Sequence, residues 1–233
     1  MREPKFFRRY DYDRGLLPNA HLRQLDDVED LEQAKASSGW SIGYPGWGLL
    51  YYLVTTTLDH ERPNVIIETG TNQGASTIVL AQALIDSPAS GHVHTVEIAE
   101  EFYKKAERNI AAAGVEGVVT QYLGDAKVAL ADMLKEVDDV QVAFLDGSHL
   151  VVDVLEEFAA VHQKLTRNGL VIFDNTYRIA DDDEDQRVHG ALATLVSEYG
   201  GNLINFPSVS WYTPGVAIWQ AHPFDERWDD LRS

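Results

Sequence analysis

The sequence predicts an α/β protein with a doubly wound sheet, and three observations lead to this fold class. Apolar runs of strand length alternate with helical patterns from Asn64 onward, which is typical of βαβ units and a parallel sheet. A glycine-containing turn, Gly70–Gly74, joins the first of these strands to the first of these helices. Two short apolar segments near the C-terminus flank a Pro-Gly turn signal, which predicts a closing antiparallel hairpin. We therefore expect a seven-stranded mixed sheet.

The predicted elements follow one another without a linker or an internal repeat. The strand candidates are residues 64–69, 93–97, 118–123, 140–145 and 169–174, and the helix candidates between them are 75–86, 99–113, 126–137 and 150–165. A helix at 187–199, ended by two glycines, precedes the hairpin strands at 202–207 and 214–220. We divide this single compact chain into an N-terminal helical or lid segment, residues 1–60, and a ligand-binding domain, residues 61–233.

The N-terminal segment has a weaker pattern than the rest of the chain. Residues 25–36 predict a short helix, and residues 49–58 predict a helix that packs on the sheet. A stretch rich in glycine and aromatic residues contains Trp40, Tyr44 and Trp47. Core packing is the favoured interpretation of these aromatic side chains, and a lid over a binding site is the alternative.

Composition excludes several classes of function. The 233 residues are 45% hydrophobic and 24% charged, as in ordinary globular proteins, and no apolar run reaches the roughly 20 residues that span a bilayer. The net charge of −18 argues against a nucleic-acid partner, because phosphate backbones are bound by clustered Lys and Arg. The chain has no cysteine and no signal-peptide pattern. We expect a cytoplasmic protein with a small-molecule partner and no membrane or nucleic-acid partner.

The glycine turn predicts a ligand site at the end of the first strand. A dinucleotide fingerprint, G-x-G-x-x-G, would place its second glycine at Asn72, so that fingerprint is incomplete where a pyrophosphate comes closest. The pattern E-x-G-x-x-x-G, from Glu68 to Gly74, instead resembles the first motif of S-adenosylmethionine (SAM)-dependent methyltransferases. The resemblance implies that SAM binds here, and the candidate cofactor-binding residues of the turn are Glu68, Gly70, Thr71, Asn72, Gly74 and Ser76.

Two further strand ends carry acids that suit an adenosine ligand. Glu97 ends the second predicted strand, where a carboxylate can accept hydrogen bonds from ribose hydroxyls; a solvated acid is the alternative. Asp125 and Ala126 follow the third strand, and in SAM enzymes this turn borders the adenine. Asp125 either accepts the adenine amino group or caps the following helix, and the two roles are compatible.

Polar oxygen ligands follow the fourth and fifth predicted strands. Asp146 comes directly after the strand at 140–145, and Asp174 and Asn175 end the strand at 169–174. Two carboxylates and an amide oxygen suit Mg²⁺ or Mn²⁺ and leave coordination sites for water and substrate oxygens. Helix capping, or direct contact with SAM, is the alternative role of these side chains. For Asp146 we predict both metal and cofactor contact.

With these motifs in place, residues 64–176 resemble the catechol O-methyltransferase-like group of metal-dependent enzymes and the macrolide-sugar and rhamnosyl O-methyltransferases. The resemblance implies a Rossmann-like class I methyltransferase, with SAM and Mg²⁺ (or Mn²⁺) as cofactors. It also implies that His149, three residues past Asp146 in Asp-Gly-Ser-His, is the general base. The implied acceptor is a hydroxyl of a sugar or natural-product type of small molecule.

Two other functions remain open on the sequence alone. One is an NAD-dependent oxidoreductase on a related fold, against which the incomplete glycine fingerprint counts. The other is a non-catalytic adenosine-binding module, against which the clustering of Asp146, His149, Asp174 and Asn175 counts. A homo-oligomer is compatible with either function and with a methyltransferase.

Overall fold

The structure is a computed structural model that describes residues 46–176, 187–206 and 215–221. The predicted helix at 25–36, and the aromatic residues Trp40 and Tyr44, lie outside the described residues. The described part contains seven strands and six α-helices. The strands are β1 (Asn64–Thr69), β2 (Gly91–Glu97), β3 (Val119–Leu123), β4 (Val140–Leu145), β5 (Leu165–Asp174), β6 (Asn202–Phe206) and β7 (Val216–Gln220). The helices are α1 (Gly46–Thr57), α2 (Ala75–Asp86), α3 (Glu100–Ala113), α4 (Ala126–Glu136), α5 (Val151–His162) and α6 (Arg187–Tyr199), with a 3₁₀ turn at Glu116–Val118.

The strands form one mixed sheet in the order β3-β2-β1-β4-β5-β7-β6, which confirms the predicted seven-stranded fold. β1 to β5 pair in parallel, whereas β7 pairs antiparallel with both β5 and β6. The chain runs outward from β1 through β2 to β3 and then returns to β4 on the other side of β1. Ligands bind parallel sheets at such a switch point, beyond the carboxyl ends of the strands.

Two apolar layers cover the two faces of the sheet. Alternate residues of a strand point to opposite faces, so Ile66 packs beneath α1, α2 and α3, and its neighbour Ile67 packs beneath α4, α5 and α6. Trp47, in the first turn of α1, is buried in the first layer, in agreement with a packing role. In the described part of the chain, no helix is both long and apolar enough to cross a membrane.

The prediction for residues 163–165 was wrong. They were expected to extend the helix at 150–165, but α5 ends at His162 and β5 already begins at Leu165. Val140 of β4 pairs with Leu165, whereas Val142 pairs with Leu170, so β5 holds extra residues at a bulge. A periodicity of apolar residues cannot reveal a bulge, because Leu165 fits the apolar stripe of a helix as well as a strand.

Candidate functional site

The glycine turn after β1 is held tightly against its neighbours. Gly70 has a φ of +83°, and a Cβ on it would lie 2.2 Å from the backbone oxygen of Asp146. Gly74, with a φ of +87°, precedes α2 and would place a Cβ 3.3 Å from Ala106 of α3. Asn72 also has a positive φ of 49°, a conformation that Asn tolerates better than most residues. Both glycines are therefore required for close packing, whether or not a ligand is present.

The polar side chains of Glu68, Thr71 and Ser76, in and beside the turn, are buried in the protein. Glu68 is 0% exposed, and its Oε2 accepts hydrogen bonds from the hydroxyls of Thr77 and Thr95, whereas Oε1 has no hydrogen-bond partner within the described part of the chain. The hydroxyl of Thr71 lies 2.6 Å from that of Thr95, and Ser76 is also buried. Burial raises the pKa of Glu68 to about 7, although hydrogen bonds from the hydroxyls oppose the rise. The cofactor roles of Glu68, Thr71 and Ser76 stay predictions, and their side chains support the turn from below.

Glu97 joins the turn after β1 to the loop after β2. Its Oε2 accepts a hydrogen bond of 2.7 Å from the backbone N–H of Asn72, and its Oε1 accepts one of 2.8 Å from Ala99. Each carboxylate oxygen can accept a second hydrogen bond. The carboxylate is therefore fixed at the edge of the sheet, with capacity left for ribose hydroxyls.

A cavity of about 240 Å³ lies beside Glu97 at the carboxyl edge of the sheet. Its lining comes from the turns after β1 to β4 and from two helices: Gly70, Val96, Glu97, Ile98, Gly124, Asp125, Ala126, Lys127, Gly147, Ser148, Asp153 and Glu157. Four predicted cofactor-binding residues, Gly70, Glu97, Asp125 and Ala126, are therefore brought together. Ile98 is 71% exposed and offers an apolar surface to a flat base. Ile98 was not predicted as a site residue, because its only sequence signal is its position directly after the acid that ends β2.

Asp125 caps the helix that follows it. Its Oδ1 accepts a hydrogen bond of 2.8 Å from the backbone N–H of Lys127, so the predicted capping role is confirmed. Asp125 also lines the cavity, and its contact with adenine stays a prediction.

A polar network that the sequence did not reveal closes one side of the cavity. The Ser148 hydroxyl donates to Asp153 Oδ2 at 2.7 Å, and Lys127 Nζ donates to Oδ1 of the same carboxylate at 2.9 Å. These bonds lower the pKa of Asp153, with Lys127 as the largest cause. The network joins the loop after β4 to α5 through Ser148 and Asp153, and joins α5 to α4 through Asp153 and Lys127.

Three of the predicted catalytic and metal-binding residues meet at the ends of β4 and β5. The Asn175 amide nitrogen lies 3.0 Å from His149 Nε2 and 3.3 Å from Asp146 Oδ1. His149 Nε2 is 3.7 Å from the same Asp146 oxygen. With the Asn175 amide in this orientation, Nε2 of His149 accepts the hydrogen bond, because an amide nitrogen only donates.

Asp174, the last residue of β5, is the buried member of this predicted group. It is 2% exposed, and no side chain among the described residues donates a hydrogen bond to its carboxylate oxygens. Burial, and next the charge of Asp146, raise the pKa of Asp174, and burial followed by the charge of Glu68 raises that of Asp146. Buried carboxylates without partners are costly unless a cation or a proton compensates them.

Asp146, Asp174 and Asn175 carry the kinds of oxygen atom that hard divalent cations prefer as ligands. Among the described residues, no group of three or more His, Cys, Asp or Glu side chains is arranged to hold a metal ion. The predicted set, however, contains two carboxylates, Asp146 and Asp174, and one amide, Asn175. Exchange of the nitrogen and oxygen of the Asn175 amide by a flip would present an oxygen in place of the present donor. The unpartnered oxygens of Asp174 are the observation that favours a cation.

Comparison with known proteins finds a family and solved structures that this chain resembles. Residues 67–176 match the family described as "Methyltransferase domain". An O-methyltransferase from Bacillus cereus, solved in complex with S-adenosylhomocysteine (SAH), superposes with a TM-score of 0.69 at 21% identity, over 87% of this chain and 91% of that one. The O-methyltransferase TomG from Streptomyces achromogenes, involved in tomaymycin synthesis and solved with SAM, gives a TM-score of 0.70 at 22% identity, over 89% and 92% of the two chains.

A curated relative matches a shorter stretch. The protein-L-isoaspartate O-methyltransferase of Staphylothermus marinus is 36% identical over 75 residues, which cover 31% of this chain and 33% of the relative. The chain thus matches about a third of the length of that relative. Residues 67–176 thus resemble a methyltransferase domain, and the chain has the fold of the O-methyltransferases on which it superposes, which is the class I SAM-dependent methyltransferase fold.

Proposed function

We propose that the chain is a SAM-dependent O-methyltransferase that uses Mg²⁺ or Mn²⁺ and acts on a hydroxyl of a small molecule of sugar or natural-product type. One observation carries this proposal: a single loop after β4 serves both parts of the site. Gly147 and Ser148 line the nucleoside cavity, and their neighbours Asp146 and His149 belong to the polar group at the ends of β4 and β5. A cofactor and an acceptor held by this loop are therefore adjacent.

The cavity supplies the cofactor half of the site. Glu97 accepts hydrogen bonds from the ribose hydroxyls, and the side chain of Ile98 lies against the base. The backbone of the Gly70 turn lies at the same cavity and is free of side-chain bulk there. The loop after β4 contributes Gly147 and Ser148 to this lining, so SAM bound here would lie beside the loop that carries Asp146. Asn72, where a dinucleotide fingerprint has glycine, supports SAM over NAD.

The polar group supplies the acceptor half. Asp146, Asp174 and Asn175 would hold the divalent cation, and the bound ion would lower the pKa of the acceptor hydroxyl and orient it. His149 takes the hydroxyl proton at Nε2, the ring atom that faces this group. Its ring is 40% exposed, so an acceptor can reach it. The chain's remaining task is to align oxygen, methyl carbon and sulfur in line, which is catalysis by positioning.

The proposed partners follow from the same features. The net charge of −18 favours a small-molecule acceptor over nucleic acid, and a cytoplasmic protein with no membrane partner remains our expectation. A homo-oligomer is compatible with the exposed surface. The acceptor itself is open within the class of small hydroxyl compounds.

The test measures SAH formation by the full-length chain with SAM and a panel of acceptors. The panel contains catechols, phenols, glycosides and nucleotide sugars, with amines and an L-isoaspartyl peptide for comparison. We expect methylation of at least one hydroxyl compound, loss of turnover after EDTA treatment, and recovery with Mg²⁺ or Mn²⁺. An exposed-residue variant, Asp132→Asn, should behave as the wild type. Transfer to amines or carboxylates alone would overturn the acceptor class, and full turnover after exhaustive EDTA treatment would overturn the metal.

A further inference from the structure

We propose that Glu157 is a further cofactor-binding residue, whose Oε1 donates a hydrogen bond to a ring nitrogen of the adenine base. This inference rests on the proposed function, because it takes SAM as the ligand of the cavity. Neither the glycine turn nor the metal group involves Glu157, which lies on α5.

The position of Glu157 places its carboxyl group at the wall of the nucleoside cavity. The residue is 3% exposed, yet it lines the same cavity as Glu97 and Asp125. Its Oε2 accepts a hydrogen bond of 2.7 Å from the hydroxyl of Thr69. A Cβ on Gly147, another lining residue, would lie 3.4 Å from Oε1, so the oxygen that is not bonded to Thr69 is close to the loop after β4.

Support of Thr69 does not by itself require a carboxyl group. The Thr69 hydroxyl needs one acceptor, and Oε2 provides it, whereas no described residue donates a hydrogen bond to Oε1. Burial, and after it the charges of Asp153 and Asp125, make an ionised carboxylate unfavourable at this position. Glu157 therefore has a second hydrogen-bonding oxygen, on a residue that lines the cavity.

The protonation state of Glu157 matches an adenine ring nitrogen. Burial, followed by the charges of Asp153 and Asp125, raises the pKa of Glu157 to about 7, against the opposing hydrogen bond from Thr69. In the neutral acid, Oε2 remains the acceptor for Thr69 and Oε1 becomes a donor. The three unsubstituted ring nitrogens of adenine accept hydrogen bonds only, so a neutral acid complements one of them.

The cavity brings the base within reach of Glu157. It is small, about 240 Å³, and Glu97 and Glu157 both contribute to its lining. A nucleoside whose ribose is held by Glu97 therefore places its base among the remaining lining groups. Ile98 supplies the apolar contact to the face of the base, and Asp125, Ala126 and Glu157 supply polar atoms for its edge.

The test is a coupling measurement with modified cofactors. Binding of SAH and of its 1-deaza, 3-deaza and 7-deaza analogues is measured by calorimetry with wild-type protein and with Glu157→Met, a variant of similar length without a donor. For one analogue we expect a loss of roughly 5- to 30-fold in the wild type, the effect of one hydrogen bond, and no such loss in Glu157→Met. Glu157→Gln keeps a donor and an acceptor and should retain the wild-type pattern.

Each outcome decides the proposal. Two results would overturn the inference and assign Glu157 to support of Thr69 alone. In one, Glu157→Met weakens the binding of SAH and of all three analogues by the same factor. In the other, Glu157→Met does not weaken the binding of any of them. If Glu157→Met does not fold, Glu157→Ala and Glu157→Gln give the same comparison. The exposed Glu107→Gln on α3 is the matched control and should not change any ratio. Failure of wild-type protein to bind SAH would instead refute the proposed function.

Discussion

Replacing Glu68 with glutamine should make the stability of the variant, relative to that of the wild type, rise with pH. Glu68 is 0% exposed, and its pKa is raised from 4.5 to about 7. At about 1.4 kcal/mol per pKa unit, this rise corresponds to roughly 3 kcal/mol of unfolding free energy, lost when the carboxyl group ionises. Glutamine keeps an oxygen for Thr77 and Thr95 but cannot ionise.

The sign of the effect follows from the raised pKa. Below pH 4.5 the carboxyl group is neutral in both the folded and the unfolded chain, so its ionisation costs nothing. As the pH rises from 4.5 to about 7, the unfolded chain ionises first and the wild type loses stability. Glu68→Gln does not lose this contribution. The buried amide nitrogen replaces the unpartnered Oε1, at a cost of about 1–3 kcal/mol that does not depend on pH.

Urea unfolding at pH 5 and at pH 8.5 measures the effect. The difference in unfolding free energy between Glu68→Gln and wild type should grow by about 2–3 kcal/mol between these two pH values. Glu107→Gln, an exposed glutamate on α3, provides the control and should show no such growth. A difference that stays constant with pH would show that Glu68 is not held at a raised pKa and would refute the reasoning.

Three further substitutions test other parts of the site. Glu97→Ala should weaken SAH binding by about 1–3 kcal/mol in calorimetry, because it removes hydrogen-bond acceptors for the ribose. Glu101→Ala, at an exposed side chain of α3, is the control and should leave SAH binding unchanged. Equal affinities of wild type and Glu97→Ala would show that Glu97 does not bind the cofactor. His149→Ala should lower kcat by roughly 10²- to 10⁴-fold with nearly unchanged SAH affinity, and a near-normal kcat would leave His149 with a structural role only. Asp125→Ala should lower the unfolding free energy by about 0.5–2 kcal/mol through loss of the α4 cap, and no change in urea unfolding would contradict the observed bond to Lys127.

The central elements of the fold could be predicted almost to the residue. The bounds of β1 (Asn64–Thr69), β4 (Val140–Leu145) and α2 (Ala75–Asp86) agree with the sequence analysis. Central parallel strands are covered on both faces, so they appear as continuous apolar runs bounded by polar or glycine residues. The bulge in β5 could not be predicted, since it depends on the pairing with β4 rather than on local pattern.

The site was predictable where one strand end determines it, and not where two distant elements meet. Glu97 ends β2 and Asp125 comes two residues after the end of β3, so the topology carries both to the cavity. Glu157 lies in the middle of α5, and its role depends on a contact with Thr69 that no local pattern encodes. The inward direction of the Glu68 side chain likewise depends on hydroxyls from α2 and β2, Thr77 and Thr95.

Calorimetry of the wild-type chain with SAH and with NADH tests the central claim most directly. The site described here combines an incomplete dinucleotide fingerprint at Asn72 with a small nucleoside cavity beside Glu97. It predicts saturable binding of SAH, competition between SAH and SAM, and no binding of NADH at the same concentrations. Binding of NADH without binding of SAH would contradict the account and favour an oxidoreductase.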